Sequence, residues 1–434
     1  MDPIDYLFSL ERFGIKFGLE NIRTLCDELD RPQQAFRSIV IAGTNGKGSV
    51  TAIVDTALRA AGHRIGRYTS PHLVTLEERF VIDGRPVPTD ELRREAAVVR
   101  DAIDQLRRRG TLTAHPTFFE ATTAVALSLF RRAGVELALL EVGLGGRFDA
   151  TNVVTPLATA ITSIDLDHER YLGASIREIA SEKAGVIKAG VVAVVGEGKV
   201  EAVEVFEQAC RERGARLVHA RARVTASAAM PDGRLEVSLS TTVRHYGPLT
   251  LSLRGRHQVD NAIVATRLLE ELNVLGVSVS PDAIVCGLTQ ARWRGRLELV
   301  RVGRAGQILL DAAHNPAAVR ALVSYLNEVY PAGLPIVFGA MRDKDASAML
   351  QTLAPCATRL VCTAPHTPRA IPAEQIGDQA RQIGPTARVV VEPNCWSAVR
   401  HAWDLGPTVC ATGSIFLIGE ILGVLEHTED VCSL

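Results

Sequence analysis

Short runs of valine, isoleucine and leucine alternate with helix-period segments along most of this 434-residue chain. Continuous apolar runs of about four to eight residues are typical of strands buried on both faces of a sheet. Strands that alternate with helices favour a mostly parallel, doubly wound α/β sheet. In the first part of the chain the pattern predicts strands at 38–42, 135–142, 158–164 and 191–195. It predicts helices at 48–61, 89–109, 118–133, 176–184 and 200–213.

The pattern changes at about residue 221, where shorter alternating stretches at 235–239 and 249–253 indicate a small antiparallel portion. A helix at about 261–272 follows, and then a cationic, glycine-containing segment at 291–296 that has no periodicity. Beyond it a second α/β series begins. Its predicted strands are 307–310, 335–338, 359–362, 388–391 and 408–411, and its predicted helices are 316–330 and 397–403. We therefore expect two α/β domains, 1–292 and 297–434, joined by a hinge at 293–296 and meeting at a cleft.

The charge balance excludes several classes of partner. The chain has 48 lysines and arginines against 49 acidic residues, a formal charge of -1, so we expect no binding of nucleic acid or anionic membrane. It has no long apolar run and no basic, apolar start typical of a secretory signal, which predicts a cytoplasmic protein. Its eight cysteines are scattered and form no Cys-x-x-Cys pair, so we expect reduced thiols, mostly buried.

A glycine-rich turn follows the first predicted strand and precedes a predicted helix, which is the context of a phosphate loop. Backbone amides of such a loop and the helix N-terminus attract phosphate oxygens, and a lysine adds a compact positive charge. A hydroxyl from Ser49 or Thr51 could reach magnesium. An ordinary strand-to-helix turn is the alternative. The loop reads Gly43, Thr44, Asn45, Gly46, Lys47, Gly48 and Ser49.

Three further residues form a candidate constellation. Glu141 ends a predicted strand before a glycine-rich turn, a position suited to a hard cation such as Mg²⁺. His168 follows another predicted strand as part of an Asp-His pair. Lys183 lies near the end of a helix, where a cation can simply favour the helix dipole. Only six of the 48 cations are lysines. A lysine is expected where the chemistry needs a compact ammonium or a neutral amine, which makes Lys47 and Lys183 candidates, with base composition as the alternative explanation of the bias.

The chain resembles the folylpolyglutamate synthase and dihydrofolate synthase family, which belongs to the ATP-dependent amide ligases that include the Mur enzymes. The resemblance spans nearly the whole chain. Besides the phosphate loop it rests on the motifs at 69–73 (TSPHL), 141–147 (EVGLGGR), 167–168 (DH), 181–185 (SEKAG), 255–258 (GRHQ), 261–262 (NA), 294–296 (RGR), 311–316 (DAAHNP) and 413–414 (GS). After Leu73 this chain has Leu76-Glu77-Glu78-Arg79 in place of the family's aromatic-Asn-Glu-Arg run.

The resemblance implies a ligase reaction in which ATP phosphorylates a carboxylate and the amine of L-glutamate attacks the acyl phosphate. The acceptor would be dihydropteroate, a reduced folate, or both. The fold would be an N-terminal P-loop-type, Mur-central-type domain and a smaller C-terminal Rossmann-like glutamate-ligase domain. The family expectation is a monomer that uses ATP and Mg²⁺. A monovalent cation could be a further cofactor.

The resemblance also assigns site residues. Lys47 and the loop residues would hold the phosphates, and His168 would bind a second metal. Lys183 would be carbamylated and would serve as a metal ligand through its carbamate oxygens. The first magnesium would be bound by Ser49, Ser70 and Glu141. Further nucleotide contacts would be Asn261, Arg296, Asp311 and His314, and the aromatic rings of Phe118 and Phe119 could face a pteridine.

Alternatives remain for several of these residues. Asp311 and Asn315 could cap the helix that begins at Pro316, and Arg296 could be a surface cation. Phe118 and Phe119 could belong to the core. A Mur-type ligase that acts on another carboxylate would use the same chemistry. A P-loop kinase or NTP-driven binding protein would explain the phosphate loop but not Glu141, His168, Lys183 or the C-terminal motifs.

Overall fold

The computed structural model describes residues 1–383 and 389–434. It separates into two compact units. The first unit contains Met1–Thr225, Leu239–Tyr246 and Asp260–Ala291, and the second contains Ala226–Ser238, Gly247–Val259 and Arg292–Leu434. The predicted domain limits stay a prediction. None of the helices within the described residues has the length and apolar character needed to cross a membrane.

An eight-stranded sheet forms the centre of the first unit. Its strands are β1 (Arg37–Ala42), β2 (Ile65–Tyr68), β3 (Phe80–Ile82), β4 (Arg85–Pro86), β5 (Leu137–Glu141), β6 (Ala158–Ile161), β7 (Val192–Val195) and β8 (Arg216–His219). They lie in the order β4-β3-β2-β5-β1-β6-β7-β8. The strands from β2 to β8 in that order are parallel, and β3 and β4 add an antiparallel edge. The central strands are buried along their length, which explains their continuous apolar sequence.

Ten α-helices occur in the chain up to residue 290, among the described residues. They are α1 (Pro3–Ser9), α2 (Glu20–Glu28), α3 (Lys47–Ala60), α4 (Thr89–Arg108), α5 (Phe118–Arg132), α6 (Glu169–Leu172), α7 (Ile176–Ala184), α8 (Val200–Arg213), α9 (His257–Val274) and α10 (Pro281–Gln290). Helices α5 and α7 start at capping boxes, in which Thr117 pairs with Glu120 and Ser175 with Glu178. Helix α9 begins four residues before its predicted start.

A smaller, three-stranded sheet has the order β11-β10-β9. Its strands are β9 (Thr225–Ala229), β10 (Leu235–Ser240) and β11 (His245–Leu251). The prediction of a strand at 249–253 is wrong in its limits. Thr241 N donates to Arg244 O at 2.9 Å in a tight turn, so the returning strand begins directly after it and ends at Leu251.

The second unit contains a seven-stranded sheet in the order β16-β15-β14-β17-β13-β12-β18. Its strands are β12 (Glu298–Val302), β13 (Gly306–Asp311), β14 (Leu334–Phe338), β15 (Ala357–Cys362), β16 (Val389–Val391), β17 (Thr408–Thr412) and β18 (Val431–Ser433). Its helices are α11 (Pro316–Val329), α12 (Ala346–Leu353), α13 (Ala373–Ile383), α14 (Cys395–Trp403) and α15 (Ile415–Leu425). Strands β12 and β18 are antiparallel to their neighbours, and the other pairs are parallel.

These two large sheets confirm the predicted fold class, a mostly parallel P-loop-type sheet with a small antiparallel portion and a smaller C-terminal α/β sheet. Of the strand predicted at 388–391, residue 388 lies outside the described residues. All eight cysteines are free thiols. Six of them are buried, Cys286 is half-buried and Cys432 is exposed, in agreement with the prediction.

Candidate active site at the carboxyl edge of the first sheet

The phosphate-loop sequence joins β1 to α3, which begins at Lys47. Two of its glycines are required by their surroundings. Gly43 has a φ of 142°, and a Cβ there would lie 1.8 Å from Thr162 Oγ1. Gly46 has a φ of 91°, and a Cβ there would lie 2.3 Å from Asn261 Oδ1. The loop therefore packs tightly against the segment after β6 and against α9, and only glycine fits at both positions.

Hydrogen bonds fix the loop to the segment that follows β6. Thr44 N donates to Ser163 O at 2.7 Å, and Thr44 Oγ1 accepts from Asp165 N at 3.1 Å. Thr162 Oγ1 donates to Asn45 O at 2.6 Å. The amide of Thr44 is thus committed within the protein, and this residue holds the loop in shape.

Two lysines meet at the loop. Lys47 Nζ donates to Gly43 O at 3.0 Å and to Thr44 O at 3.2 Å, and Lys183 Nζ donates to Gly43 O at 3.0 Å. Lys183 is buried, with 4 % of its surface exposed. Burial, together with the charge of Lys47, lowers the pKa of Lys183 to about 7. A substantial fraction of this amine is therefore neutral near pH 7.

Four neighbouring parallel strands, β2, β5, β1 and β6, end at the same edge of the sheet. Ser70 follows β2, Glu141 ends β5, the phosphate loop follows β1 and His168 follows β6. Glu141 lies opposite Ile41 in the register of β5 and β1, and it is 5 % exposed. Ser49 is buried in the first turn of α3. The fold thus brings residues that are far apart in sequence to one edge, where ligands bind in open α/β sheets.

Asp149 is a buried residue to which the sequence analysis gave no role. Its Oδ2 accepts from Gly143 N at 3.0 Å and Leu144 N at 2.9 Å, and its Oδ1 accepts from both Thr151 N and Thr151 Oγ1. Burial raises the pKa of Asp149, and these hydrogen bonds act in the opposite direction. Asp149 therefore shapes the glycine-rich turn that follows Glu141. An Asp two residues before a threonine and three residues after a Gly-Gly pair is a turn signal that could have indicated this role.

At 76–79 the two residues that match the family pattern, Glu78 and Arg79, have structural roles. Glu78 accepts hydrogen bonds from three successive backbone amides, those of Leu73, Val74 and Thr75, at 2.8, 2.8 and 3.0 Å. Arg79 Nε donates to His72 Nδ1 at 2.9 Å. The Glu and Arg of this segment thus hold the turn after Ser70.

The two aromatic candidates occupy different surroundings. Phe119 packs beneath Gly143, where a Cβ would lie 2.7 Å from its ring, and its ring lies 5.8 Å from that of Tyr68. Phe118 stacks on Phe8 at 5.6 Å, and the Arg79 guanidinium lies 5.1 Å from its ring centre. Both rings pack against protein groups, as the core alternative expects.

In the second unit, Asp311 is buried at the end of β13. Its Oδ2 accepts from Leu297 N and its Oδ1 from Ala313 N, each at 3.0 Å. Burial raises its pKa, and the charge of Arg296 acts against that shift. His314 Nδ1 donates to Ala312 O at 2.9 Å.

The helix-cap alternative is settled differently for the two candidates. Asn315 caps α11 by accepting from Ala318 N at 2.8 Å. Asp311 does not cap this helix, since its two oxygens accept from Leu297 and Ala313 on either side of the β13 end. The capping prediction is therefore confirmed for Asn315 and wrong for Asp311.

Within the described residues, no group of three or more His, Cys, Asp or Glu side chains is placed to bind a metal. The predicted ligand set contains only one carboxylate, one imidazole and two hydroxyls beside Lys183. Carboxylate and hydroxyl oxygens suit Mg²⁺, which keeps several waters and binds through one or two carboxylates together with substrate phosphates. The buried Glu141 carboxylate beside the phosphate loop fits that pattern.

Comparison with known proteins agrees with this architecture. The family model for the Mur ligase middle domain matches residues 41–269, and that for the Mur ligase glutamate ligase domain matches 295–415. The Bacillus subtilis dihydrofolate synthase/folylpolyglutamate synthase is 33% identical over 97% of both chains. A Mycobacterium tuberculosis folylpolyglutamate synthase structure, complexed with ADP and AMPPCP, has a TM-score of 0.88 at 32% identity and covers 98% of this chain and 99% of that one.

Escherichia coli FolC, solved in complex with DHPP and ADP, has a TM-score of 0.86 at 29% identity and covers 98% of each chain. This similarity covers both units, and with them the candidate residues at the edge of the first sheet and those in the second unit. The chain therefore belongs to the dihydrofolate synthase/folylpolyglutamate synthase family of Mur-type ATP-dependent ligases.

Proposed function

We propose that this protein is an ATP-dependent ligase that adds L-glutamate to the carboxylate of dihydropteroate and of reduced folates, as a bifunctional dihydrofolate synthase and folylpolyglutamate synthase. ATP would transfer its γ-phosphoryl group to the acceptor carboxylate, with release of ADP. The glutamate amine would then attack the acyl phosphate and displace phosphate. This activity would place the protein in folate biosynthesis and one-carbon metabolism.

The observation that carries this proposal is the arrangement at the carboxyl edge of β2, β5, β1 and β6. Ser70, Glu141, the phosphate loop and His168 follow four adjacent strands, and Lys183 reaches the loop through Gly43. A phosphoryl transfer between ATP and a carboxylate brings several negative charges together, so it requires cations at this position. Lys47 supplies one, and the loop amides that are not committed within the protein would bind phosphate oxygens.

Ser49, Ser70 and Glu141 would hold a first Mg²⁺, and His168 would help hold a second. Bound there, Mg²⁺ would neutralise charge on the transferring phosphoryl group. Lys183 would carry a carbamate, which forms when its neutral amine attacks CO₂ and loses a proton. Its pKa of about 7 supports this, because the unprotonated amine that the reaction needs is present at neutral pH. A monovalent cation is a further proposed cofactor.

Asn261 in the first unit and Arg296, Asp311 and His314 in the second are proposed nucleotide contacts. The tight packing of Asn261 against Gly46 supports its proximity to the phosphates. That the protein is a cytoplasmic monomer without nucleic-acid or membrane partners stays a prediction.

The decisive experiment measures ADP release with ATP, Mg²⁺ and L-glutamate, with dihydropteroate in one reaction and tetrahydrofolate in another. Mass spectrometry of the products should show one added glutamate on each acceptor. Turnover with one acceptor alone would restrict the activity to one of the two synthases. An absence of amide product with both acceptors, while ATP still binds, would overturn the folate assignment.

A further inference from the structure

A buried salt bridge beneath the phosphate loop contains none of the residues proposed to bind the substrates or metals. Asp55 lies on the buried face of α3, about two turns beyond Lys47. Arg67 on β2 donates from Nη1 to Asp55 Oδ2 at 3.2 Å, and Arg59 Nε donates to the same oxygen at 3.1 Å. The Asp55 side chain is 1 % exposed and that of Arg67 is 17 % exposed. Buried charges of this kind are costly unless they are balanced.

Arg67 also faces Glu141, the proposed magnesium ligand. In the register of β2 and β5, Arg67 lies opposite Leu139, and Glu141 lies two residues further along β5 on the same face of the sheet. Two residues along a strand span about 6.6 Å and neighbouring strands lie about 4.8 Å apart, so this diagonal is about 8 Å, which a long arginine side chain can span. Burial lowers the pKa of the Arg67 guanidinium, and the charges of Asp55 and Glu141 act in the opposite direction. Arg67 remains a cation, so it stands between two carboxylates.

We infer that Asp55 is a positioning residue that balances the charge of Arg67 and thereby leaves the Glu141 carboxylate able to bind a divalent cation. This inference rests on the proposed function. A guanidinium that lost its partner on α3 would pair with the remaining carboxylate, that of Glu141, and its uncompensated charge would also repel a cation. With Asp55 present, a carboxylate on the helix side balances the charge of the buried Arg67. Arg59 shares that carboxylate, but its side chain is 33 % exposed, so water screens its charge.

The test measures binding of Mn²⁺·AMPPNP by isothermal titration calorimetry, and binding of AMPPNP alone in EDTA. We expect Asp55→Asn to weaken Mn²⁺·AMPPNP binding about tenfold and to leave AMPPNP binding in EDTA nearly unchanged. Adding Arg67→Met to Asp55→Asn should restore most of the loss, because the buried unbalanced cation is gone and the remaining Arg59 is 33 % exposed to solvent. Arg64→Met is the matched control, since this arginine lies just before the opposite end of β2, is half exposed, and should bind like the wild type.

Wild-type Mn²⁺·AMPPNP affinity in Asp55→Asn would overturn the inference, and so would a double variant that binds as weakly as Asp55→Asn. If Asp55→Asn does not fold, as judged by circular dichroism, the single variant Arg67→Met tests the inference instead. It should bind Mn²⁺·AMPPNP at least as tightly as the wild type, and a tenfold loss would overturn the inference.

Glu141→Gln separates this inference from the proposed function. This substitution should abolish the gain in AMPPNP affinity that Mn²⁺ provides, both in the wild type and in the Asp55 and Arg67 variants. If it keeps that contribution, the proposed magnesium site is wrong and the inference falls with it. If Glu141→Gln behaves as expected and the Asp55 variants do not, only the inference is wrong.

Discussion

Lys47 and Lys183 donate from their Nζ atoms to one acceptor, the carbonyl oxygen of Gly43, each at 3.0 Å. Two ammonium groups on one carbonyl repel each other, and Lys183 is the more buried of the two. The protein therefore favours a neutral Lys183 beside a charged Lys47. Lys47 is thereby suited to hold phosphate, and Lys183 is suited to react with CO₂.

Lys183→Ala should reduce glutamate ligation at least about a hundredfold, because it removes a proposed metal ligand. Lys183→Arg should be equally inactive, since a guanidinium stays protonated and forms no carbamate. In ¹³C-bicarbonate the wild type should show a carbamate resonance in NMR spectra that both variants lack. Lys188→Met is the control, because Lys188 is another lysine with a lowered pKa, near 8, and its loss should leave the resonance in place. Full activity of Lys183→Ala would contradict the assigned role.

The free energy of unfolding should depend on pH through Lys183. Its pKa is about 7 in the folded chain against 10.5 for an ordinary lysine, so between these values the unfolded chain binds more protons. Stability should therefore rise with pH, by about 1 kcal/mol per pH unit between roughly pH 7.5 and 9.5. Urea unfolding in CO₂-free buffer measures this, with Lys183→Met as the reference. If the free energy of unfolding of the wild type does not rise with pH relative to that of Lys183→Met, the lowered pKa is contradicted.

Gly46→Ala should abolish ATP binding, because the new Cβ would lie 2.3 Å from Asn261 Oδ1 and would distort the loop. Gly62→Ala is a matched control for backbone strain. Its φ of 90° is nearly the same, but no atom lies within 4 Å of the added Cβ. Each variant should lose about 1–3 kcal/mol of stability from its positive φ alone, and only Gly46→Ala should lose nucleotide binding in calorimetric titrations. Equal nucleotide affinities would show that the contact with Asn261 is unimportant.

Asp149→Asn should destabilise the first unit by about 2–3 kcal/mol, because an amide nitrogen would face N–H donors where a carboxylate oxygen now accepts. Ligation should fall as well, since Asp149 holds the turn after Glu141. Asp345→Asn provides the comparison. Asp345 only caps α12 through Ala348 N, where Asn is an equally good cap. Thermal unfolding and ADP release would reveal whether the two substitutions differ as expected.

The sequence pattern predicted many of the strands and helices, but not all of the amphipathic ones, since α2 and α13 were not predicted. Helices α7 and α8 have the predicted limits, because each combines a clear apolar face with a distinct end. Strand β2 was missed, since Gly66 and Arg67 interrupt its apolar pattern in four residues. Strand β18 was missed because it is short and exposed along its length, so that no burial pattern marks it. Both are held by pairing with neighbouring strands, which a local pattern does not reveal.

Motifs identified the candidate residues that stand at strand ends, such as Glu141 and His168. They did not identify Asp55 and Arg67, which stand inside regular elements. An acidic residue on the apolar face of α3 was a detectable sign of a buried partner. The identity of that partner depends on the order of strands in the sheet, which sequence periodicity does not contain.

The order β2-β5-β1-β6 also limits how the chain can be divided. The residues gathered at this edge extend from Gly43 to Lys183, about 140 positions along the sequence, and no two adjacent strands among these four are consecutive in the chain. Any fragment that omits one of these strands lacks part of the site, and a fragment ending before α7 lacks Lys183. Nucleotide affinity is thus a property of the completed sheet, and a nucleotide analogue that binds there would report whether a truncated or permuted chain has folded.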